Sequence, residues 1–380
     1  MDGLLIGMTM ALGGISVGGA SLLTRCARWI APRLGFVDRP DGRRKLHQQP
    51  TPLLGGVAVF GGLVSTTLLS YLCGGLELLD AHASQFLIWS LATASLFCAI
   101  GIFDDRHPLR PRTKFLFQVL ACLPFAIWGR TATGIDLLGM EFNLGAWSVP
   151  VTVLWLVACV NAFNLLDGLD GQATSLGIIG CLAFAGLAAL RGDFASTLMA
   201  LLIVGNLLGF LWHNKPPARI FLGDAGSLTI GFLAGALALE TSLSTTGLFS
   251  LVLPCVVLAV PLFDTGMAIV RRKLNGRGIS EADREHIHHC LQDRGFSGTQ
   301  SLGIVVACGI MQSAFVLTSA ATHHESLAIM GLVVTIGGLV VFRLFGHREV
   351  ALFGLRMQEL AARVNPPRPR RFNPLEWLAF

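Results

Sequence analysis

Between residues 3 and 345 the chain is cut into eleven apolar runs of 16 to 22 residues, and this segmentation limits its fold more than any other feature. The runs lie at roughly 3–23, 53–73, 85–103, 114–129, 148–164, 173–190, 194–212, 227–244, 247–268, 301–321 and 326–345. About 20 apolar residues cross the hydrocarbon of a bilayer as a helix. Inside it the backbone must satisfy its own hydrogen bonds, which leaves helices or closed barrels. Continuous apolar runs exclude the alternating pattern of a barrel. Only 13% of residues are charged, against about 25% in soluble domains. The expectation is an all-α polytopic membrane protein of about 11 transmembrane helices. The 227–268 stretch is read as two spans broken near Ser242–Gly247, with one long span as the alternative. The N-terminus lacks a basic stretch before its first apolar run, and is read as a retained span, not a removed signal peptide.

Charge sets the expected orientation. Residues 24–52, 104–114, 213–226, 269–300 and the tail from Arg343 carry seven, four, two, six and seven Lys and Arg, or 26 of the 28. Arg130 and Arg191 stand alone on the other side. The positive-inside rule places the N-terminus outside and the C-terminus in the cytoplasm. Residues 1–345 read as a single transmembrane catalytic domain. Residues 346–380 read as a basic cytoplasmic tail, which could begin with a short amphipathic surface helix. The nine cysteines lie mostly in apolar runs without zinc-like spacing, and read as small buried hydrophobes.

Six aspartates sit at the ends of these runs: Asp104, Asp105, Asp167, Asp170, Asp224 and Asp264. A carboxylate beside lipid is costly and points to function. Asp104 and Asp105 repel one another unless a cation or proton intervenes; Lys114 and Gln118 follow one turn apart. Asn161, Asn164 and Asp167 recur at three-residue spacing before Gly168, Asp170 and Gly171, and two amides with two acids suit a polar head such as a nucleotide. Asp224, between glycines before an apolar run, could cap a helix or hold Mg²⁺ against a phosphate. The loop after Asp264 carries Arg271, Arg272, His286, His288 and His289, cationic groups that suit a diphosphate; zinc would need partners the loop lacks. His47 follows the basic run Arg43-Arg44-Lys45, which suits an anionic lipid or phosphate. The active site is expected on the cytoplasmic face.

In order, GIFDDR with Lys114 and Gln118, NAFNLLDGLDG, RIFLGDAGSL and DREHIHHCL resemble the polyprenyl-phosphate N-acetylhexosamine-1-phosphate transferase superfamily, glycosyltransferase family 4, over residues 40–300. The HIHH form is similar to its bacterial undecaprenyl-phosphate GlcNAc-1-phosphate transferase branch. The resemblance implies transfer of a sugar-1-phosphate from a UDP-sugar to undecaprenyl phosphate, releasing UMP, in the bacterial inner membrane. Mg²⁺, with Mn²⁺ as a substitute, would be held by Asp224 with Asp105. Asp104, Asp105 and Asp224 would be catalytic. His47, Lys114, Asn161, Asn164, Asp167, Asp170, Arg271, Arg272, His286, His288 and His289 would bind substrates. The implied partners are the two substrates and the bilayer, with no nucleic acid and a homodimer left open. The sequence departs from the family pattern at Pro52-Leu53-Leu54-Gly55, which lacks an arginine, at Pro108 and at Gln172. The alternatives are a phospho-MurNAc-pentapeptide transferase and, from another class, a cation-coupled secondary transporter, which would place its acids near the bilayer midplane. A catalytically silent membrane scaffold is a third.

Overall fold

The computed structural model describes residues 3–39, 50–74, 80–244, 246–278, 281, 283 and 285–364. Helices α1 (Gly3–Leu34), α2 (Gly55–Leu72), α3 (Ala81–Arg106) and α4 (Pro111–Pro124) come first, α4 running into a π-helical turn at Phe125–Gly129. Then come α5 (Ser148–Leu166), α6 (Gln172–Leu190), α7 (Phe194–Asn214), α8 (Gly223–Ser242), α9 (Val252–Val257) and α10 (Ala259–Leu274). The last four are α11 (Ile287–Asp293), α12 (Gly298–Thr322), α13 (Glu325–Val341) and α14 (His347–Val364). Short strands join loops at two places. β1 (Val37–Asp38) pairs antiparallel with β2 (Thr51–Pro52). β3 (Gly134–Leu137) pairs antiparallel with β4 (Met140–Asn143) and parallel with β5 (Leu248–Ser250).

Among the described residues, seven helices are long and apolar enough to cross a membrane: Gly55–Leu72, Ala81–Arg106, Gly145–Leu166, Gln172–Leu190, Phe194–Asn214, Gly223–Ser242 and Gly298–Thr322. The chain is therefore an all-α polytopic membrane protein. The 247–268 run is not one unbroken helix: it divides into β5, α9 and α10. Pro261 lacks the N–H that would bond back to Val257, so the helix stops at Leu258 and restarts at Ala259.

α8 is the centre. Its span is 94% buried, against 39% for the spans in α3 and α12. It packs against α3, α5, α2 and α6. Its sequence, GDAGSLTIGFLAGALALETS, is rich in small residues that let neighbouring backbones approach. Phe97 of α3 stacks on Phe232 of α8, which also meets Phe125 edge-on. Around this centre α1 and α6 pack on α7, and α12 packs on α6 and α13. The far end of α8 is gripped by the two isolated arginines of the sequence. Arg130 pairs with Glu240, and Arg191 donates to the Thr241 and Leu243 carbonyls.

Candidate active site

The first turn of α8 is built to be held still. Gly223 has φ +69°, a left-handed conformation that glycine adopts without strain. Gly56 of α2 and Gly101 of α3 then approach so closely that an added Cβ would lie 2.0 Å from Gly226 N and 2.2 Å from Ala225 N, respectively. The four leading N–H groups of a helix have no partner within it. Asp105, in the last turn of α3, supplies one from outside. Its Oδ1 accepts from Asp224 N at 2.8 Å and its Oδ2 from Ala225 N at 3.3 Å. One carboxylate thus locks the end of α3 to the start of α8.

With that turn fixed, Asp224 projects into a compact polar knot. Lys114 Nζ lies 2.8 Å from Asp104 Oδ2 and 2.6 Å from Asp224 Oδ2, and donates to Asn164 Oδ1 at 3.1 Å. Asn164 Nδ2 donates to Asp224 Oδ1 at 2.6 Å and to Ser227 Oγ at 3.0 Å. Asp104 also accepts from Leu109 N at 2.6 Å, which folds the α3–α4 turn under the site. One turn further along, Asn161 Nδ2 donates to Gln118 Oε1 at 2.7 Å. Positions 114 and 118 of α4 therefore meet 164 and 161 of the antiparallel α5, rung by rung. Asn161 is spent on this rung and on the Val157 carbonyl.

A second cluster meets the first at the turn after α5. Asp167 ends the helix at φ −77°, ψ 39°, so the three-residue spacing from Asn161 does not run on through it. Burial, and then the charges of Asp224, Asp105 and Asp170, push the Asp167 carboxyl well above the usual range. Asp170 accepts from Ala218 N at 2.8 Å, tying this turn to the loop before α8. Gly168 carries the junction: a Cβ there would lie 2.5 Å from Cε1 of His288. His288 is 2% exposed and neither ring nitrogen has a partner among the described residues. Burial, reinforced by the charges of His289 and His286, pushes it down to about 3. The three rings lie together, His286 parallel to His288 with centroids 6.2 Å apart and His289 at 4.1 Å from His288.

Asp264 fixes this histidine turn. Its carboxylate bonds His286 Nδ1 at 2.7 Å and accepts from Ile287 N at 2.8 Å. Arg271 is buried, donates through Nε to Asp283 at 3.1 Å and pairs with the buried Glu349 of α14. Burial disfavours the Asp283 carboxylate, but the Arg271 guanidinium outweighs it and holds that carboxyl below the usual range. Arg272 is also buried.

Of the residues singled out from sequence, Asp104, Asp105, Lys114, Asn164 and Asp224 come together in one contact network. Asp167, Asp170 and the three histidines adjoin it across Gly168. His47 lies outside the described residues. Sequence reasoning missed Ser227, and missed Glu349 as the partner of Arg271. Ser227 stands in the quoted GDAGS segment, but its partner is far away in the chain; Glu349 lies in what read as a surface tail.

These segments match a known family. Residues 87–242, from α3 through α8, match the family described as glycosyl transferase family 4. A Bacillus subtilis protein named probable undecaprenyl-phosphate N-acetylglucosaminyl 1-phosphate transferase is 35% identical over 317 residues, covering 82% of this chain and 86% of the relative. The chain belongs to glycosyl transferase family 4. Similarity extends to the decaprenyl-phosphate N-acetylglucosaminephosphotransferase of Mycolicibacterium smegmatis, 31% identical over 83% of this chain and 84% of the relative. It extends also to the undecaprenyl-phosphate alpha-N-acetylglucosaminyl 1-phosphate transferase of Escherichia coli K12, 27% identical over 84% of this chain and 85% of the relative. The family match contains every member of the Asp104–Lys114–Asn164–Asp224 knot.

A divalent cation in this glycosyl transferase family 4 chain would need oxygen ligands. Among the described residues no group of three or more His, Cys, Asp or Glu side chains forms a ready-made metal cage. Magnesium is usually held by only one or two carboxylates together with substrate phosphates. Oδ2 of Asp104 and Oδ2 of Asp224 already converge on one cationic atom, Lys114 Nζ, so the donor set suits a hard cation. Asp105, paired with Asp224 in the sequence reading, has both oxygens turned to the α8 backbone.

Proposed function

We propose that this protein transfers GlcNAc-1-phosphate from UDP-GlcNAc to undecaprenyl phosphate, releasing UMP, at the cytoplasmic face of a bacterial inner membrane. The observation that carries the reading is the convergence of Asp104, Lys114, Asn164 and Asp224 on a pinned helix start. The relatives' names supply the polyprenyl-phosphate acceptor and the N-acetylglucosaminyl phosphate. The proposed arrangement has about eleven spans, with residues 346–380 as a cytoplasmic tail.

The reaction joins two anions, so the barrier is largely electrostatic. Bound Mg²⁺ would neutralise phosphate charge and act as a Lewis acid at the transferring phosphorus. Asp224, with Asp104 beside it, would hold that ion. Lys114 would turn its ammonium to a phosphate oxygen, and Asn164 keeps Asp224 in one rotamer. Asp105 keeps the α8 start in place and acts on the reaction through Asp224. His289, beside the His288 ring that meets Gly168, and Arg272, in the last turn of α10, would meet the donor diphosphate. A phosphate monoester has its second pKa near 6, so the acceptor is substantially dianionic at neutral pH and needs no strong base. Asp104 and Asp105 therefore position groups and need not remove a proton.

The acids sit in the last turn of α3 and the first turn of α8. This favours an interfacial reaction over a transporter, whose coupling acids would lie mid-membrane. Purified protein is to be incubated with undecaprenyl phosphate and labelled UDP-GlcNAc, UDP-GalNAc or UDP-MurNAc-pentapeptide. Lipid- and Mg²⁺-dependent UMP release from UDP-GlcNAc is expected. Release from the pentapeptide donor alone would move the protein to the peptidoglycan reaction, and no release from any donor would refute transfer. Labelling single cysteines introduced beside Asp104 and Asp224 from one side of sealed vesicles tests the shared face; opposite sidedness would end the proposal.

A further inference from the structure

Away from the acid knot, the corner where α1 meets α7 gathers basic side chains that form no ion pair among the described residues. Ser21, Arg25 and Arg28 recur at i, i+4 and i+7, one stripe along α1. The stripe faces α7: Ser21 Oγ lies 3.0 Å from His213 Nε2. Arg219 returns to the same place, its N–H bonding the His213 carbonyl at 2.9 Å. Arg28, Arg25 and Arg219 lie near enough to His213 for their charges to act on it. Lys215 follows two residues after His213, with Nζ 4.1 Å from the Trp212 ring. None of Arg25, Arg28, Lys215 and Arg219 forms an ion pair among the described residues.

Two further features point to a ligand. His213 is only 4% exposed, yet its Nδ1 has no hydrogen-bond partner among the described residues. A buried polar atom without a partner is costly, and an acceptor on a bound molecule would relieve it. Trp29 and Trp212 are each 64% exposed beside this corner. Exposed tryptophans next to basic residues are the pattern of a membrane interface, and basic pockets between helices at such an interface take anionic headgroups.

We infer that the α1–α7 corner binds an anionic phospholipid, its phosphate held by Arg25, Arg28, Lys215 and Arg219 and reached by His213 Nδ1. Its acyl chains lie along the apolar flank beside Trp29 and Trp212. The site is separate from the acid knot but linked to it, because Arg219 stands five residues before Asp224 on the loop that Asp170 ties down. It does not depend on the proposed transfer reaction: a protein inactive on every UDP-sugar could still bind the lipid, and an active one could fail to.

The test is native mass spectrometry of the full chain in detergent, titrated with cardiolipin, phosphatidylglycerol or phosphatidylethanolamine. The Arg28→Gln/Arg219→Gln double variant is compared with Arg110→Gln/Arg112→Gln, which removes the same charge from the same face. Retained cardiolipin and phosphatidylglycerol in the parent, a tenfold or larger weakening in the first variant and no more than twofold in the second support the site. Equal weakening in both variants, or none in either, overturns it. Displacement by millimolar inorganic phosphate would make it a free-anion site, and displacement by undecaprenyl phosphate would make it part of the acceptor path; each refutes a phospholipid site. Thermal melting of both variants in neutral detergent confirms that they fold, and a fall in binding counts only with melting unchanged. Should Arg28→Gln/Arg219→Gln not fold, Lys215→Gln read in the same titration decides: undiminished binding refutes.

Discussion

Lys114 is the charge that lets Asp104 and Asp224 sit beside one another, and removing it makes a measurable demand. Its Nζ lies 2.8 Å from one carboxylate and 2.6 Å from the other, with side-chain exposures of 17% for Lys114, 7% for Asp104 and 28% for Asp224. Breaking a buried ion pair costs about 3–5 kcal/mol because a charge is left uncompensated. The partial exposure of Asp224 favours the lower end, about 3 kcal/mol. One kcal/mol moves the melting temperature by about 2–4 °C in a domain of 150–250 residues, and less in a longer chain. Lys114→Met in EDTA is therefore expected to melt on the order of 5 °C below the parent. If the two acids can hold a divalent ion, Mg²⁺ should take the place of the ammonium. A ligand at a hundred times its Kd adds about 2.7 kcal/mol, which nearly restores the loss. The assay is thermal unfolding in detergent, in EDTA, in Mg²⁺ and in sodium chloride of matched ionic strength. Unchanged melting of Lys114→Met in EDTA would refute the electrostatic account of the knot. Equal rescue by Mg²⁺ and sodium would refute the metal assignment while leaving the knot intact.

Three further outcomes are expected. Asp105→Asn keeps one acceptor for the α8 start but loses the charge, costing about 1 kcal/mol of stability and lowering transfer; a variant that melts like the parent yet loses Mg²⁺ binding would make Asp105 a metal ligand instead of a cap. Gly101→Ala places a Cβ 2.2 Å from Ala225 N, so α3 must move off α8, at about 1–3 kcal/mol or more; melting and activity should both fall, and parent-like behaviour would show that the helices are not in contact there. For His288, about 3 in the folded protein lies below the ordinary 6.5, so the unfolded chain takes up the proton first as pH falls. Its contribution is complete above pH 6.5 and is lost between 6.5 and 3, about 2 kcal/mol by pH 5. His288→Asn should flatten that acid limb of the melting curve, and an unchanged limb would show that the ring is not buried in the neutral form.

What the sequence determined on its own was the class of the chain and a set of candidate site residues. Apolar runs too long for anything but membrane helices fixed the all-α architecture, because no other open structure satisfies the backbone in lipid. Acids and amides at the run ends singled out Asp104, Lys114, Asn164 and Asp224 as candidates, since charge there is costly. Only the tertiary structure decided what each one does. Asp105 and Asp104 are neighbours in sequence, yet a helix turns adjacent side chains about 100° apart. Asp105 therefore meets the α8 backbone, while Asp104 meets Lys114. The Arg271–Glu349 pair was likewise beyond local reading, because it joins residues 78 positions apart. Periodicity reports which residues avoid water. It carries no record of which distant backbone closes over them, and in this chain that closure around the start of α8 separates Asp105, which accepts from the helix backbone, from Asp104 and Asp224, which meet at Lys114.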